Sequence, residues 1–590
     1  MPELASYGAD VDDAPATTTL TRRQRLAHQL TSTARGVPAA VWAITAGYLG
    51  LLLCYSLLYP VYLGFDEPQH VDMTIALRHD PLSWPDPGER WLSQSVATSH
   101  SIVYGRARDH IIKPGDGRLP IDGPYLAAEA PPRDSRKTIQ ALGDNAPIDT
   151  KPPALPNQMV QHPPLYYAIG AAALGVLPFS ESLAYDQVVG ILRLLSVLMI
   201  APLPLLIWAT TRRLVGAGPI AVAASALPFA VPGLARGAGN YQNDNLLILL
   251  VAVLTLLLAK VMTGDFSRRT AIFVGIVIAA AVLTKGTALP LTPLIPLAYA
   301  AGWARVRGRF PVLPAVTACA VGAIGGLWWL RNLLVYKTVQ VNGYGVHSLR
   351  VEKAQGGKPG PHEAQDWLDK FYAARPGAGG WYEWRFWSGL GLLDRNALTF
   401  TVYRTLTVVT VIGVLLALVH GFGRGERGRG DRRAAAVLTL PFFLITAVVA
   451  YGAYSEFNRT GISGGIQGRY AYPAVPALCV LVATGYGRIA GRAVRVLPAV
   501  ALLGALLVQA FALRAILAGY WTPRTPAGRI DRYRTALENV AAWSPWTSGV
   551  TYTVFVATAV LLVLAVVTVV LLPPVRALRG RMRPAAEVAG

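Results

Sequence analysis

The sequence predicts an all-α polytopic membrane protein with about 12 transmembrane helices. Three observations carry that prediction. Of 590 residues, 53% are hydrophobic and only 15% charged, too apolar a balance for a soluble chain of this length. Apolar runs of about 20 residues recur along nearly the whole chain, and about 20 residues rising 1.5 Å each cross a hydrocarbon core of roughly 30 Å. The runs are continuous rather than alternating, which suits helices and not the strands of a barrel.

In chain order, residues 1–39 are polar and read as a cytoplasmic tail with no cleavable signal peptide. Residues 40–573 form the transmembrane domain, and a basic cytoplasmic tail, 574–590, closes the chain. The expected spans are Val41–Leu63, Val188–Thr210, Pro219–Arg236, Asn245–Met262, Ala271–Thr284, Ala288–Ala304, Val312–Leu334, Thr399–His420, Ala434–Tyr454, Tyr470–Tyr486, Val496–Leu517 and Tyr552–Leu572. A formal charge of +21 in a soluble chain would suggest nucleic acid. Here the basic residues gather in short loops, so no nucleic-acid partner is implied. Arg22, Arg23, Arg25 and Arg35 precede the first span and set the N-terminus inside. Every second loop then carries a basic cluster: Arg212/Arg213, Arg268/Arg269, Arg305/Arg307/Arg309, Arg424 to Arg433, Arg488/Arg492/Arg495 and Arg576 to Arg583. Cys54, Cys319 and Cys479 lie in apolar runs, as small core residues do, and suggest no disulfide framework.

This orientation places three long loops outside. They are 64–162, 335–398 with Trp367, Trp381, Trp384 and Trp387, and 520–550 with Trp521, Trp543 and Trp546. Tryptophans there read first as interfacial anchors, and at this density also as a sugar-stacking surface. Pro163–Phe179 is short for a crossing and ends without a basic cluster, so it is expected to be an outer juxtamembrane or re-entrant helix.

The first outer loop opens on "GFDEPQHVDM", Gly64 to Met73. Proline suits the start of a helix, so Pro68 places Glu67 near the N-cap and Asp66 just before it. Val71, Met73, Ile75 and Leu77 then form an apolar face expected to lie on the membrane surface. Helix capping accounts for acidic residues at this position. A general base toward a hydroxyl, or a metal ligand among Asp66, Glu67 and His70, would account for the histidine as well. Two further stretches stand out: "QHPPLYYAIG", Gln161 to Gly170, and "GGIQGRYAYPAVPAL", Gly464 to Leu478.

Together and in this order, "DEPQH", "HPPLYY" and "QGRYAYP" resemble a bacterial branch of the GT-C superfamily of membrane glycosyltransferases, which includes protein O-mannosyltransferases and lipid A aminoarabinose transferases. The resemblance covers most of the chain. It implies a GT-C-like fold and transfer of a sugar, with inversion, from a polyprenyl-phosphate donor to an acceptor hydroxyl at the outer face of the plasma membrane during cell-envelope glycan assembly. The acceptor would be a glycan, lipid or protein. Asp66 matches the family's acidic base, with Glu67 beside it, and Asp244 in "NYQNDNLL" matches a second acidic position. His162, Tyr166, Gln467 and Tyr470 lie in the motifs and are expected to bind substrate. A divalent ion is the cofactor this reading allows, with Asp66, His70 and Asp244 as its expected ligands.

Charge offers a requirement independent of the resemblance. A departing phosphate needs cations or a metal. Arg236, Lys285, Arg331 and Arg469 lie at expected outer ends of spans, against the positive-inside trend. Arg469 and Lys285, then Arg331, are the expected phosphate contacts. A transporter or flippase, or a polymerase or ligase for lipid-linked saccharides, would use the same electrostatics.

Overall fold

The computed structural model describes residues 36–111, 129–146, 156–216, 218–372, 380–389, 398–422, 431–521 and 528–571. Both terminal tails, the N-terminal arginines, Arg424, Arg427 and Arg429, and the Arg576 to Arg583 cluster lie outside the described residues.

The chain is an all-α membrane protein. Among its helices are α1 Ala39–Leu57, α2 Glu67–His79, α3 Gln94–Ile111, α4 Leu165–Gly175, α5 Tyr185–Ile200, α6 Leu203–Val215, α7 Pro219–Ala226, α8 Pro232–Ala238, α9 Asp244–Met262 and α10 Arg268–Val282. There follow α11 Leu294–Val306, α12 Val312–Ala323, α13 Leu327–Tyr336, α14 Trp381–Ser388, α15 Phe400–His420, α16 Arg432–Thr460, α17 Val475–Ile489, α18 Leu497–Ile516, α19 Arg529–Trp543 and α20 Ser548–Val566. Among the described residues 8 helical stretches are long and apolar enough to cross a membrane, or 9 if α7 and α8 with their 72° bend count as one.

The expected count of 12 is therefore not reached by length and composition. Three of the expected spans are shorter helices: α10 and α17 with 15 residues and α11 with 13. Each meets an irregular stretch rich in glycine and proline. Gly286–Leu291 contains Pro290, and Gly468–Ala474 contains Pro473, so regular hydrogen bonding breaks there and 3₁₀ turns replace it. Such breaks are tolerated at membrane depth where the backbone is enclosed by protein. Helix α4 has 11 residues, about 17 Å by the helical rise and roughly half a bilayer core.

Close packing relies on small residues. A Cβ on Gly485 of α17 would meet the carbonyl of Gly413 on α15, so the two backbones touch directly. Basic residues collect at one end of the bundle. Arg213 donates to Thr263 at 2.6 Å, Arg305 pairs with Asp431 at 3.4 Å, and Arg433 donates to the Ala304 carbonyl at 3.4 Å.

The opposite end carries the loops. Asp72 holds them together: it accepts two bonds from Arg90, at 2.8 and 2.6 Å, one from Asn157 at 2.9 Å and one from the Ser93 amide at 2.9 Å. Val71, Met73, Ile75 and Leu77 are buried in protein and do not form a free face. Helix α2 is covered by the loop layer and by α4, which corrects the membrane-surface expectation. Four of the seven tryptophans are corrected similarly. Trp367, Trp387, Trp521 and Trp543 are buried within the protein. Trp521 donates to the Leu58 carbonyl at 3.0 Å, pinning the last loop to the end of α1.

Candidate active site

The ends of several helices converge near Asp66. Its backbone adopts the left-handed conformation, φ 52° and ψ 20°, which Asp tolerates better than most residues. Asp66 occupies the N-cap of α2, yet its side chain makes no capping bond. The carboxylate instead accepts from Gln158 Nε2 at 3.1 Å and lies 3.7 Å from Arg469 Nη2. The side chain is 39% exposed. Gln158 is placed by a short 3₁₀ turn, Gln158–Gln161, that Asn157 caps through the Met159 amide.

Arg469 stands in the irregular segment before α17. Its guanidinium lies 3.8 Å from the Phe65 ring centre and 5.4 Å from that of Tyr470. Lys285 approaches the same Tyr470 ring at 4.5 Å and pairs with Asp244 Oδ1 at 2.6 Å. Asp244 is the first residue of α9 and Lys285 follows α10, so the tight turn after α10 carries the amine to the carboxylate. Tyr470 thus joins two ion pairs into one cluster: Asp66 with Arg469, and Asp244 with Lys285. Gly468 is required there, because a Cβ would meet the Tyr382 carbonyl on α14. Gln467 is half-buried beside Arg469.

Glu67 has a different task. It is fully buried and bonded to Arg193 through both oxygens, each at 2.7 Å. It also accepts from the amides of Tyr241 at 2.9 Å and Gly64 at 3.3 Å. Arg193 spends its remaining donors on the carbonyls of Ser56, Tyr59 and Pro60, at 2.6–2.9 Å, where α1 ends. All five guanidinium N–H groups are then used. The pair is a saturated structural tie, so Glu67 is removed from the catalytic set.

Other expected site residues are also relocated. Tyr166 is fully buried, its hydroxyl 3.1 Å from Ser196 Oγ and its ring stacked on Tyr241 at 4.8 Å. It is a core residue, not a substrate contact. Arg331 lies 3.7 Å from Asp86 and over the rings of Trp328 and Tyr336. Among the described residues it makes no hydrogen bond or ion pair with the cluster around Asp66. Charge at a helix end revealed that Arg331 was unusual, but not which neighbours it would meet.

His70 shares a hydrogen bond with the Tyr167 hydroxyl at 3.1 Å. Burial pushes its basicity well below the usual histidine range, with His162, Lys285 and Arg469 adding repulsion. Burial and Lys285 do the same to His162, so both imidazoles are neutral near pH 7. His162 Nδ1 has no hydrogen-bond partner among the described residues. The expected metal trio is not assembled. His70 faces Tyr167, Asp244 holds Lys285, and Asp66 faces Gln158 and Arg469. No group of three His, Cys, Asp or Glu among the described residues has the arrangement of a metal site. These residues do not fit a divalent ion.

Sequence reading missed three residues. Arg193 interrupts "VVGILRLLSVLMI", and a charge inside an apolar run was a signal to find it. Phe65, next to Asp66, lies under both Arg469 and Arg236, at 3.8 and 4.2 Å. Arg385 lines a narrow cleft with Arg236, Gln467 and Arg469. The next two residues of α14, Phe386 and Trp387, wall an apolar cavity of about 430 Å³ between α7, α15, α17 and α18. Helix α14 therefore separates a cationic cleft from an apolar one.

The sequence family described as "Predicted membrane protein (DUF2142)" matches residues 49–478. No curated protein matches the chain. Among solved structures, ArnT from Cupriavidus metallidurans bound to undecaprenyl phosphate is 13% identical, with a TM-score of 0.41 over 91% of this chain and 79% of that one. The apo state of the same protein gives 12% identity and 0.40 over 90% and 77%. The apo oligosaccharyltransferase of Archaeoglobus fulgidus gives 14% identity and 0.37 over 88% of this chain, which spans 56% of that one. Likeness at this distance says nothing about chemistry, which rests on the residues of the site.

Proposed function

This chain belongs to the DUF2142 family of membrane proteins, and we propose that it is a membrane glycosyltransferase of GT-C type. It moves a sugar from a polyprenyl-phosphate-linked donor to an acceptor hydroxyl at the outer face of the plasma membrane, in cell-envelope glycan assembly. The observation that carries this reading is the partly exposed Asp66 carboxylate 3.7 Å from Arg469, beside the Lys285–Asp244 pair.

Transfer needs a proton acceptor and a cation for the leaving phosphate. Donor binding draws Arg469 toward the phosphate and releases Asp66. The acceptor oxygen attacks the anomeric carbon while its proton passes to Asp66. The bond from that carbon to the phosphate oxygen breaks, and its electron pair stays on the phosphate, held by Arg469. A single displacement inverts the anomeric centre. Lys285, neutralised by Asp244, fixes Tyr470 under Arg469. Gln158 orients Asp66. His162, with an unused ring nitrogen next to Lys285, and Gln467 are proposed to contact the sugar. With both termini cytoplasmic, the basic end of the bundle faces inward and Asp66 faces outward.

The test is sugar transfer by purified protein in liposomes supplied with lipid-linked sugars extracted from source membranes. Asp66→Asn is expected to lower turnover by about 10²–10⁴-fold, the range for a general base, while the protein stays folded. Near-normal turnover refutes the assignment. Movement of intact lipid-linked sugar across the bilayer without sugar release would establish a flippase instead.

A further inference from the structure

Asp66 must also meet the acceptor, and the loop after α13 approaches it from the loop layer. Residues 341–345 of that loop are pressed against the first outer loop. The Gly88 amide donates to the Gly343 carbonyl at 3.0 Å. A Cβ on Gly343 would meet the Gln158 carbonyl, and one on Gly345, at φ 52°, would meet the Pro87 carbonyl. Only glycine allows this approach on both sides of Tyr344. Asn342 closes the turn, accepting from the Tyr344 amide at 3.0 Å through Oδ1 and from the Gly345 amide at 2.9 Å through its carbonyl. Gln158 is the residue that donates to Asp66, so Tyr344 stands one position from a backbone contact with the base's own partner.

Further along, the same loop is tied to α16. Arg459 pairs with Glu352 at 2.8 Å, and the amides of Lys358 and Gly360 donate to the carbonyls of Thr460 and Arg459 at 2.8 and 2.9 Å. The loop thus runs from the surroundings of Asp66 to those of Glu456, near the end of α16. Tyr344 and Glu456 are both half-buried. Burial pushes the Tyr344 phenol up to about 12, and the charges of Asp66 and Glu456 push it the same way. The hydroxyl therefore keeps its proton, and both carboxylates lie within electrostatic reach of it. Among the described residues neither the Tyr344 hydroxyl nor the Glu456 carboxylate has a hydrogen-bond or ion-pair partner.

These groups suit one class of ligand. The phenol offers a face on which a sugar ring can pack, and the carboxylate accepts from sugar hydroxyls. A serine side chain or a lipid hydroxyl would leave both groups unused. An acceptor with its own carboxylate or phosphate would meet like charge, because Arg459, which attracts Glu456, is already bonded to Glu352. We propose that Tyr344 and Glu456 form the acceptor subsite and that the acceptor is a glycan without acidic groups. Its ring packs on Tyr344, one hydroxyl is held by Glu456, and the attacking hydroxyl reaches Asp66. This rests on the glycosyltransferase reading and names its acceptor class. The acceptor oxygen bonds to the anomeric carbon, its proton passes to Asp66, and the phosphate leaves with the electron pair of the broken bond.

The test uses the full chain in liposomes with lipid-linked sugars extracted from source membranes. Three acceptor preparations come from the source envelope: glycans that pass an anion exchanger, glycans that it retains, and delipidated protein. Wild-type protein is expected to transfer at least about ten-fold faster to the unretained glycans than to the retained ones. Glu456→Gln should narrow that ratio to about three-fold or less, since the repelling charge is gone. Tyr344→Ala should raise the half-saturating concentration of unretained glycans at least about ten-fold with the maximal rate within about three-fold, and Tyr344→Phe, which keeps the ring, should raise it less. A lowered maximal rate with unchanged half-saturation in Tyr344→Ala would make Tyr344 structural and overturns the proposal, as does an unchanged ratio in folded Glu456→Gln protein. Wild-type transfer chiefly to retained glycans, to protein or to liposome lipid overturns it whether or not any variant folds, while the glycosyltransferase reading survives. If no lipid-linked sugar is broken down, that reading falls and this one with it.

Discussion

Glu67→Gln separates the two adjacent carboxylates of the motif. The substitution keeps the shape of the side chain and removes its charge, leaving Arg193 buried at 1% exposure with its three carbonyl partners but no counter-ion. Breaking a buried, fully bonded pair costs about 3–5 kcal/mol. A retained amide oxygen keeps one bond from Arg193, which places the expected loss near the lower end, about 3 kcal/mol. Asp66→Asn removes an exposed partner at 3.7 Å, which costs less than about 1 kcal/mol. The assay is paired. Tryptophan fluorescence follows unfolding in detergent, read as a half-life at fixed temperature because membrane proteins often unfold irreversibly. Sugar release is then counted per folded molecule. Glu67→Gln should unfold markedly faster and keep turnover within about ten-fold, whereas Asp66→Asn should unfold like wild type and lose about 10²–10⁴-fold in turnover. A Glu67→Gln protein as durable as wild type but inactive would reverse the roles and refute the reasoning.

Lys285→Met should cost about 3 kcal/mol by leaving Asp244 unpaired, and adding Asp244→Asn should recover at least about 1 kcal/mol; strict additivity in this double-mutant cycle would show that the 2.6 Å pair carries no coupling. Buried His70 and His162 have folded-state affinities for protons below the unfolded value of about 6.5, so the unfolded chain takes up protons first. Stability is therefore full above about pH 6.5 and falls below it, by up to about 1.4 kcal/mol per pH unit for each histidine. His70→Asn should flatten the decline in melting temperature between pH 7 and pH 5, and an unchanged slope counts against the buried neutral ring. Gly485→Leu should separate α15 from α17 at a cost of about 1–3 kcal/mol or more, seen as loss of monodisperse protein on size exclusion; unimpaired yield would mean the helices do not touch at Gly413.

What sequence could show depended on the range of the force involved. Hydropathy is summed over about 20 residues, so long spans such as α9 and α16 were legible within a few positions. It fails where the backbone is broken, and Pro290 and Pro473 turned two expected spans into 3₁₀ segments followed by shorter helices. The motif residues Asp66 and Arg469 do meet, 403 positions apart, and charge at the ends of spans pointed to both. The same signal pointed also, after Arg469 and Lys285, to Arg331, which the fold sends to Asp86. Asp66 and Glu67 could not be ranked from adjacency, because one left-handed residue at the start of α2 turns the first carboxylate toward Arg469 and the second into the core. Their partners, Arg193 and Gln158, lie over 90 residues away and no local pattern announces them.

Exposure decides how the two carboxylates can be used. The Glu67–Arg193 pair is almost dry, and its two parallel bonds, with the amides and carbonyls around it, leave no group free to exchange. At 3.7 Å, the attraction between Asp66 and Arg469 is about 1 kcal/mol in bulk water and about 4 kcal/mol at an effective dielectric of 20. With Asp66 39% exposed, solvent screening holds the pair toward the lower value. An incoming phosphate, forming charge-assisted bonds to Arg469, is strong enough to break it. The weaker pair is the one at the cleft, so the base is masked by the same arginine that the donor recruits, and it becomes free only when there is a leaving group to accept the electrons.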